Sequence, residues 1–297
     1  MTMRIFVTGA TGFLGSAIVQ QLLAAGHQVL GLTRSERGAT ALESWGAKAH
    51  FGDLDDFASL QHGADLADAV IHTAFNHDFS TFVANCEADG KVIGAMGKAL
   101  AGSSRPMVIT SFVAMGTTEP GKPATEAGYN VLTPNPRKAT EIAGVSLLER
   151  GVNASFVRLP QVHDTVRQGL ITPLIELARE KGVAAYIGEG KNRWSAVHVS
   201  DAVRLYVLAV ERGIAGARYN AVAEEGITTK DIADVIGQGL GVPVRSIDAD
   251  KASDHFGWLG NFAAHDMSAS SLETQQKTGW RPVGPGLIED LRHMQYR

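Results

Sequence analysis

Between residues 4 and 159 the sequence switches repeatedly between two hydrophobic periods. Short apolar runs at 4–8, 28–32, 47–51, 69–74, 107–111 and 154–159 read as buried strands. Between them, 14–25, 38–45, 57–62, 82–100 and 137–149 carry helical spacing, and Gly26 supplies a stop for the first helix. Strands that alternate with helices can pair only in parallel, because each helix carries the chain back across the sheet. This pattern predicts an α/β fold, a Rossmann-type doubly wound parallel sheet with both faces covered. After Pro160 the rhythm changes. Helices are predicted at 171–181, 201–212 and 229–240 and a late strand at 218–221, with irregular chain beyond Val242. The expected division is a dinucleotide-binding domain over 1–160, completed by about 194–241. A smaller, discontinuous C-terminal substrate-binding cap is expected from 161–193 and 242–297.

Composition narrows the partners. The chain has 297 residues and a formal net charge of -4, without a basic run to neutralise nucleic acid. One cysteine, Cys86, excludes an intrachain disulfide. The histidines are scattered, so no metal site is expected. The opening MTMRIF does not read as a signal peptide, and no apolar run reaches membrane-spanning length. A cytoplasmic protein acting on a small molecule, with neither nucleic acid nor membrane as partner, is the expectation.

The first strand runs into TGATGFLG, in which Gly9, Gly12 and Gly15 recur every third residue. A strand, a glycine turn and a helix start aim backbone N–H groups and the positive helix end at an anion. Gly9 permits the turn, Gly12 leaves room for a pyrophosphate, and Gly15 lets helix and strand approach closely. The second strand ends Thr33-Arg34-Ser35. An acid there would hydrogen-bond a ribose 2′-hydroxyl; a guanidinium grips a 2′-phosphate instead. Arg34, with Arg37 nearby, favours NADP(H) over NAD(H).

The spacing TGxxGxxG resembles the extended short-chain dehydrogenase/reductase family, in its NAD-dependent epimerase/dehydratase-like branch. Asp53-Leu54, VIHTA at 70–74, VRLP at 157–160 followed by Val162-His163, and WSAVHVSD at 194–201 are similar to its later landmarks. The resemblance implies that Thr11, Phe13 and Leu14 join the three glycines around the cofactor. It likewise places Thr33, Arg34, Asp53, Leu54, Thr73, Ala74, Thr110, Leu159 and Pro160 along the dinucleotide. The helices at 82–100 and 139–148 resemble the pair that associates across a homodimer.

The same resemblance implies a Ser, a Tyr and, four residues later, a Lys. Ser111 ends a strand five residues before Gly116, at the Ser position. The stretch VLTPNPRKATE, residues 131–141, holds no Tyr. One register puts Thr133 at the Tyr position and Arg137 at the Lys position; the next puts Pro134 and Lys138 there. Arg137 and Lys138 are therefore carried as cofactor-binding. Tyr129, or His77 with Asp78 in the AFNHDFS loop, would move the proton in place of the missing phenol. Asn76 or Asn85 would polarise a carbonyl. His163 and Trp194 are expected to line the substrate pocket, and His198 to be structural. Three readings stay open: an NADP(H)-dependent oxidoreductase of the atypical extended type on a small carbonyl or alcohol, an epimerase or dehydratase on a sugar-like substrate, and a non-catalytic NADP(H)-sensing protein.

Overall fold

A computed structural model describes residues 2–296. Its first half runs β1 (Arg4–Thr8), α1 (Phe13–Ala24), β2 (Gln28–Thr33), α2 (Glu36–Ser44), β3 (Lys48–Phe51), α3 (Phe57–Asp65), β4 (Ala69–His72), α4 (Phe82–Leu100), β5 (Met107–Phe112), α5 (Lys138–Glu149) and β6 (Ala154–Leu159). The second half runs β7 (Gln161–His163), α6 (Ile171–Lys181), β8 (Ala184–Ile187), β9 (Arg193–His198), α7 (Val199–Arg212), β10 (Arg218–Asn220), β11 (Glu224–Thr228) and α8 (Thr229–Leu240). It closes with β12 (Val244–Ile247), α9 (Ala252–Phe256), α10 (Gly260–Ala263), α11 (Leu272–Thr278) and α12 (Leu287–His293).

Seven strands form one parallel sheet in the order β10-β6-β5-β4-β1-β2-β3. Ile5, Val7 and Ile71 face one apolar layer with Ile18, Leu22 and Tyr206; Phe6, Val70 and Ile109 face the other with Ile93, Met96 and Leu147. The chain order reverses between β1 and β4. In a doubly wound sheet that switch point opens a crevice at the carboxyl ends of the strands, where ligands bind.

The second half departs from expectation. Five further strands appear there, at β7, β8, β9, β11 and β12, forming a three-stranded sheet β11-β9-β7 and a parallel pair β12-β8. The stretch beyond Val242, expected to be irregular, carries β12 and four short helices. These elements share a separate apolar core: Ile171, Ile175, Ala184, Trp194, Ile236 and Leu291 are all buried in it. Helix α8, expected to complete the dinucleotide domain, gives Ile232, Val235 and Ile236 to this second core. Its amphipathic stripe matches the underside of α6 and β8, not the large sheet. Among the described residues no helix is long and apolar enough to cross a membrane.

Candidate active site

The glycine loop sits at the switch point. Gly9 has φ +69°, and a Cβ there would lie 2.7 Å from Thr73 Oγ1 and 2.9 Å from Ala74 N. The turn after β4 therefore packs against the turn after β1. Gly12 N–H donates to Gly9 O at 2.9 Å, closing the loop. A Cβ at Gly15 would fall 1.9 Å from Gly9 O, so only glycine lets α1 start this close to the strand. Gly12 differs. Its Cβ would meet protein only at Gly9 O, 3.2 Å away, and its remaining side is open. Helix α1 begins with no side-chain cap and no acid in its first turn. Its first N–H groups are thus left for an anion. These features fit a dinucleotide pyrophosphate. Thr11 and Gly12 are exposed, and Phe13 and Leu14 are half-buried against the first core.

Next to it, Thr33 is buried and its hydroxyl accepts from Ser35 N–H at 3.3 Å. Ser35 in turn caps α2 through Gly38 N–H. Arg34 projects from this fixed turn and is exposed, as is Arg37. Neither takes part in an ion pair among the described residues. Asp53 Oδ1 accepts from the N–H groups of Asp55 and Asp56, both at 2.9 Å, and shapes the turn beside Leu54 that enters α3.

A buried polar spine ties the loop to the start of α5. Thr8 Oγ1 accepts from Thr73 and Ala74 N–H at 3.2 and 3.3 Å. Its own proton therefore goes to His72 Nδ1, 2.7 Å away. That fixes His72 as the tautomer whose Nε2–H donates to Asp89 Oδ1 at 3.0 Å. Asp89 Oδ2 accepts from Arg137 and from Thr140, both at 2.6 Å. Burial pushes the Asp89 carboxyl up, but Arg137, His72 and Thr140 outweigh it and hold the pKa at about 2. The Arg137 guanidinium lies 3.9 Å above the Phe75 ring, keeping 13% of its side-chain surface open. Asp89 escaped the sequence reading. Its signal was a carboxylate on the apolar stripe of α4, spaced with Cys86, Ile93, Met96 and Leu100.

His77 and Arg137 share the Phe75 ring as a neighbour. His77 is exposed, edge-on to Phe75 at 5.2 Å. Partial desolvation among these rings, then the Arg137 charge, lower its pKa, against a Phe75 backbone hydrogen bond that raises it. Asn76 Oδ1 accepts from Asp78 N–H, and Asn85 Nδ2 donates to Asp78 O at 2.8 Å, so both hold the loop. At the start of α5, Lys138 Nζ donates to Thr133 O at 2.9 Å, and Arg137 to Asp89.

Other expected positions find partners inside the fold. Ser111 is buried and donates to Glu141 Oε1 at 2.8 Å, beneath the fully buried Arg158. Side chains alternate along β5, so Ser111 faces α5, whereas Thr110 faces α7 and bonds Tyr206 at 2.7 Å. Tyr129 lies under Arg218, 4.7 Å from its guanidinium; burial and Glu141 raise its pKa, away from proton exchange near neutrality. His163 is fully buried with Nδ1 2.6 Å from Asp290, and Trp194 is fully buried with Nε1 donating to His265 O. Both are fully buried in the second half, and Trp194 borders a small cavity there with Leu174, Ile232 and Phe256. His198 caps α7 through Ser200 N–H, as expected. Leu159 and Pro160, half-buried, end β6. No group of three His, Cys, Asp or Glu residues is placed to hold a metal among the described residues.

Known proteins carry the same frame. An uncharacterised protein of Schizosaccharomyces pombe is 47% identical over 290 residues, 97% of this chain and 98% of that one. An uncharacterised protein of Saccharomyces cerevisiae is 41% identical over 296 residues, 98% of each. The structure of Thermus thermophilus UDP-glucose 4-epimerase with NAD superposes with a TM-score of 0.75 at 20% identity, covering 98% of this chain and 97% of that one. The family described as NAD dependent epimerase/dehydratase matches residues 5–221, the span that holds the glycine loop, the His72 spine and α5. With its seven-stranded sheet and its cradle at the switch point, the chain belongs to the NAD dependent epimerase/dehydratase family.

Proposed function

We propose that the chain is a cytoplasmic NADP(H)-dependent oxidoreductase that interconverts a small carbonyl compound and its alcohol. The observation that carries this reading is the buried spine from Thr8 through His72 and Asp89 to Arg137, which ties the turn after β1 to Arg137, with His77 and Arg137 both set against the Phe75 ring. The glycine loop, with Thr11, Phe13 and Leu14, would hold the pyrophosphate. Thr33 and Arg34 would take the ribose 2′-phosphate, and Asp53 and Leu54 the adenine side. Thr73, Ala74, Thr110, Leu159, Pro160, Arg137 and Lys138 would border the nicotinamide half. When bound, the reduced cofactor supplies a hydride to the carbonyl carbon and is left oxidised. Arg137, anchored by Asp89, draws charge onto the carbonyl oxygen. His77 gives that oxygen its proton, and takes it back in the reverse direction.

Two measurements test the assignment. Arg34→Glu is expected to weaken NADPH binding about tenfold to a hundredfold, the worth of a hydrogen bond to a charged group, while NADH binding stays put. Equal effects on both cofactors would remove Arg34 from the 2′-phosphate. The second is the pH profile of alcohol oxidation, which needs neutral His77 as base. The reference pKa is 6.5 and the shift is downward, so the acid limb of kcat/KM is expected below pH 6.5. A limb above that value, or one unchanged in His77→Gln, overturns the role.

The burial of Ser111 supports a second reading, an NADP(H)-binding protein without turnover. Tight NADPH binding with no oxidation of any alcohol or reduction of any carbonyl would select it. We also propose a homodimer through α4 and α5, where Val83 and Ile142 are exposed and Gly94 has open space beside it. Light scattering, reading one mass or two, checks this.

A further inference from the structure

Six rings from two distant stretches of chain form one cluster, which reaches Arg137 through Phe75. Phe75, His77 and Phe79 come from the turn after β4, and Phe82 opens α4. Trp258 and Phe262 come from the short segment around α10. Phe79 and Trp258 lie face to face, centroids 4.1 Å apart and planes 8° from parallel. Phe262 meets Phe79 edge-on at 5.8 Å and Phe82 at 6.2 Å. Phe75 and Phe82 meet at 6.2 Å, and His77 and Phe79 at 6.3 Å. Trp258 is not needed for its own segment's core, which Ala252, Phe256, Leu259 and Ala263 fill. It keeps 38% of its surface exposed.

Several polar groups on this lip are engaged within the loop. Asp78 accepts from Ser80 N–H and Oγ–H, and its backbone carbonyl accepts from Asn85. Asn76 accepts from Asp78 N–H. The guanidinium charge of Arg137 is balanced by Asp89. The lip thus consists mainly of rings, with one histidine and one cation balanced by Asp89, and Trp258 keeps part of its surface open to solvent. A nucleotide sugar needs many donors and acceptors and a cationic clamp for its diphosphate. A flat apolar body with a single carbonyl oxygen needs only rings to lie on and one donor pair.

We infer that this wall holds the non-reacting part of the substrate, and that the substrate is an aryl or conjugated aldehyde or ketone. The inference rests on the oxidoreductase reading for its chemistry and on the wall alone for its recognition. The hydride adds to the carbonyl carbon and the proton from His77 to the oxygen, giving the arylmethanol-type alcohol and oxidised cofactor.

The test uses the full chain loaded with NADP, titrated calorimetrically with 2-naphthaldehyde and with UDP-glucose, beside NADPH consumption with 2-naphthaldehyde and acetaldehyde. Naphthaldehyde is expected to bind and UDP-glucose not. Trp258→Ala is expected to weaken naphthaldehyde binding about tenfold, and to lower the naphthaldehyde-to-acetaldehyde ratio of kcat/KM as far. Trp258→Phe, which keeps a ring, should restore most of both. Tighter binding of UDP-glucose, or an unchanged Trp258→Ala affinity, overturns the proposal and leaves the wall as packing only. Naphthaldehyde that binds on the wall but is never reduced supports the aromatic site and removes the oxidoreductase reading. NADPH consumed equally with both aldehydes does the reverse.

Discussion

Glu141→Ala is expected to cost the fold about 3–5 kcal/mol, the penalty for leaving a buried charge without its partner. Glu141 and Arg158 are both fully buried, and their contacts are bidentate, Nε to Oε1 at 2.6 Å and Nη2 to Oε2 at 2.8 Å. Ser111 donates to the same Oε1, and Arg218 reaches Oε2 at 3.3 Å. Arg158 also donates to Thr125 O at 3.1 Å, so the pair fixes the long connection between β5 and α5. Removing the carboxylate strands a guanidinium in an apolar layer beside Phe156. In urea the midpoint is expected to fall with little change in slope. Glu141→Leu combined with Arg158→Met should recover most of the loss, because the desolvation cost goes with both charges. A single variant within about 1 kcal/mol of the parent would show that water reaches the pair. Ser111→Ala removes one donor to the carboxylate and leaves the ion pair in place, so it should cost less, about 1.5–3 kcal/mol.

That contrast explains what the sequence could disclose about the site. The spacing of TGATGFLG reports backbone geometry, and backbone geometry is what glycine identity encodes. The loop at Gly9, Gly12 and Gly15 was therefore legible, as was the alternation that builds the sheet. Ser111 was placed correctly at the end of β5, but spacing says nothing about which face a strand residue takes. One step along the strand exchanges the α5 side for the α7 side. The partners that settle its role, Glu141 and Arg158, lie 30 and 47 residues further on (111 against 141 and 158). The same holds for Arg137. One of the two registers put Arg137 at the Lys position and the other Lys138, and Arg137's anchor Asp89 is 48 residues upstream. In the second half the strands are three to six residues long and pair with distant partners, as β8 does with β12. Such strands take their conformation from long-range contacts and leave little local pattern.

The last prediction separates two things the glycine loop does. Gly15→Ala is expected to damage both fold and cofactor binding, whereas Gly12→Ala should damage binding alone. At Gly15 the new methyl would fall 1.9 Å from Gly9 O and 2.7 Å from Gly9 C, both backbone atoms. Gly9 cannot retreat, because Thr73 and Ala74 already crowd its other side. Helix α1 must therefore move off β1, at about 1–3 kcal/mol of overpacking strain, and carries its N–H groups away from the pyrophosphate. Two lost charge-assisted hydrogen bonds, at about 1.5–3 kcal/mol each, lower NADPH affinity about a hundredfold or more. Gly12 has φ -79°, which alanine adopts freely, and its methyl would touch only Gly9 O at 3.2 Å. Its cost to the fold is small, since that oxygen need yield only a few tenths of an ångström. The methyl instead occupies the open side of the loop, where the phosphate must approach. Thermal unfolding and NADPH titration of the two variants read the difference directly. Gly12→Ala that binds NADPH like the parent would mean that the dinucleotide does not cross the loop there, and the assignment of the cradle would fall with it.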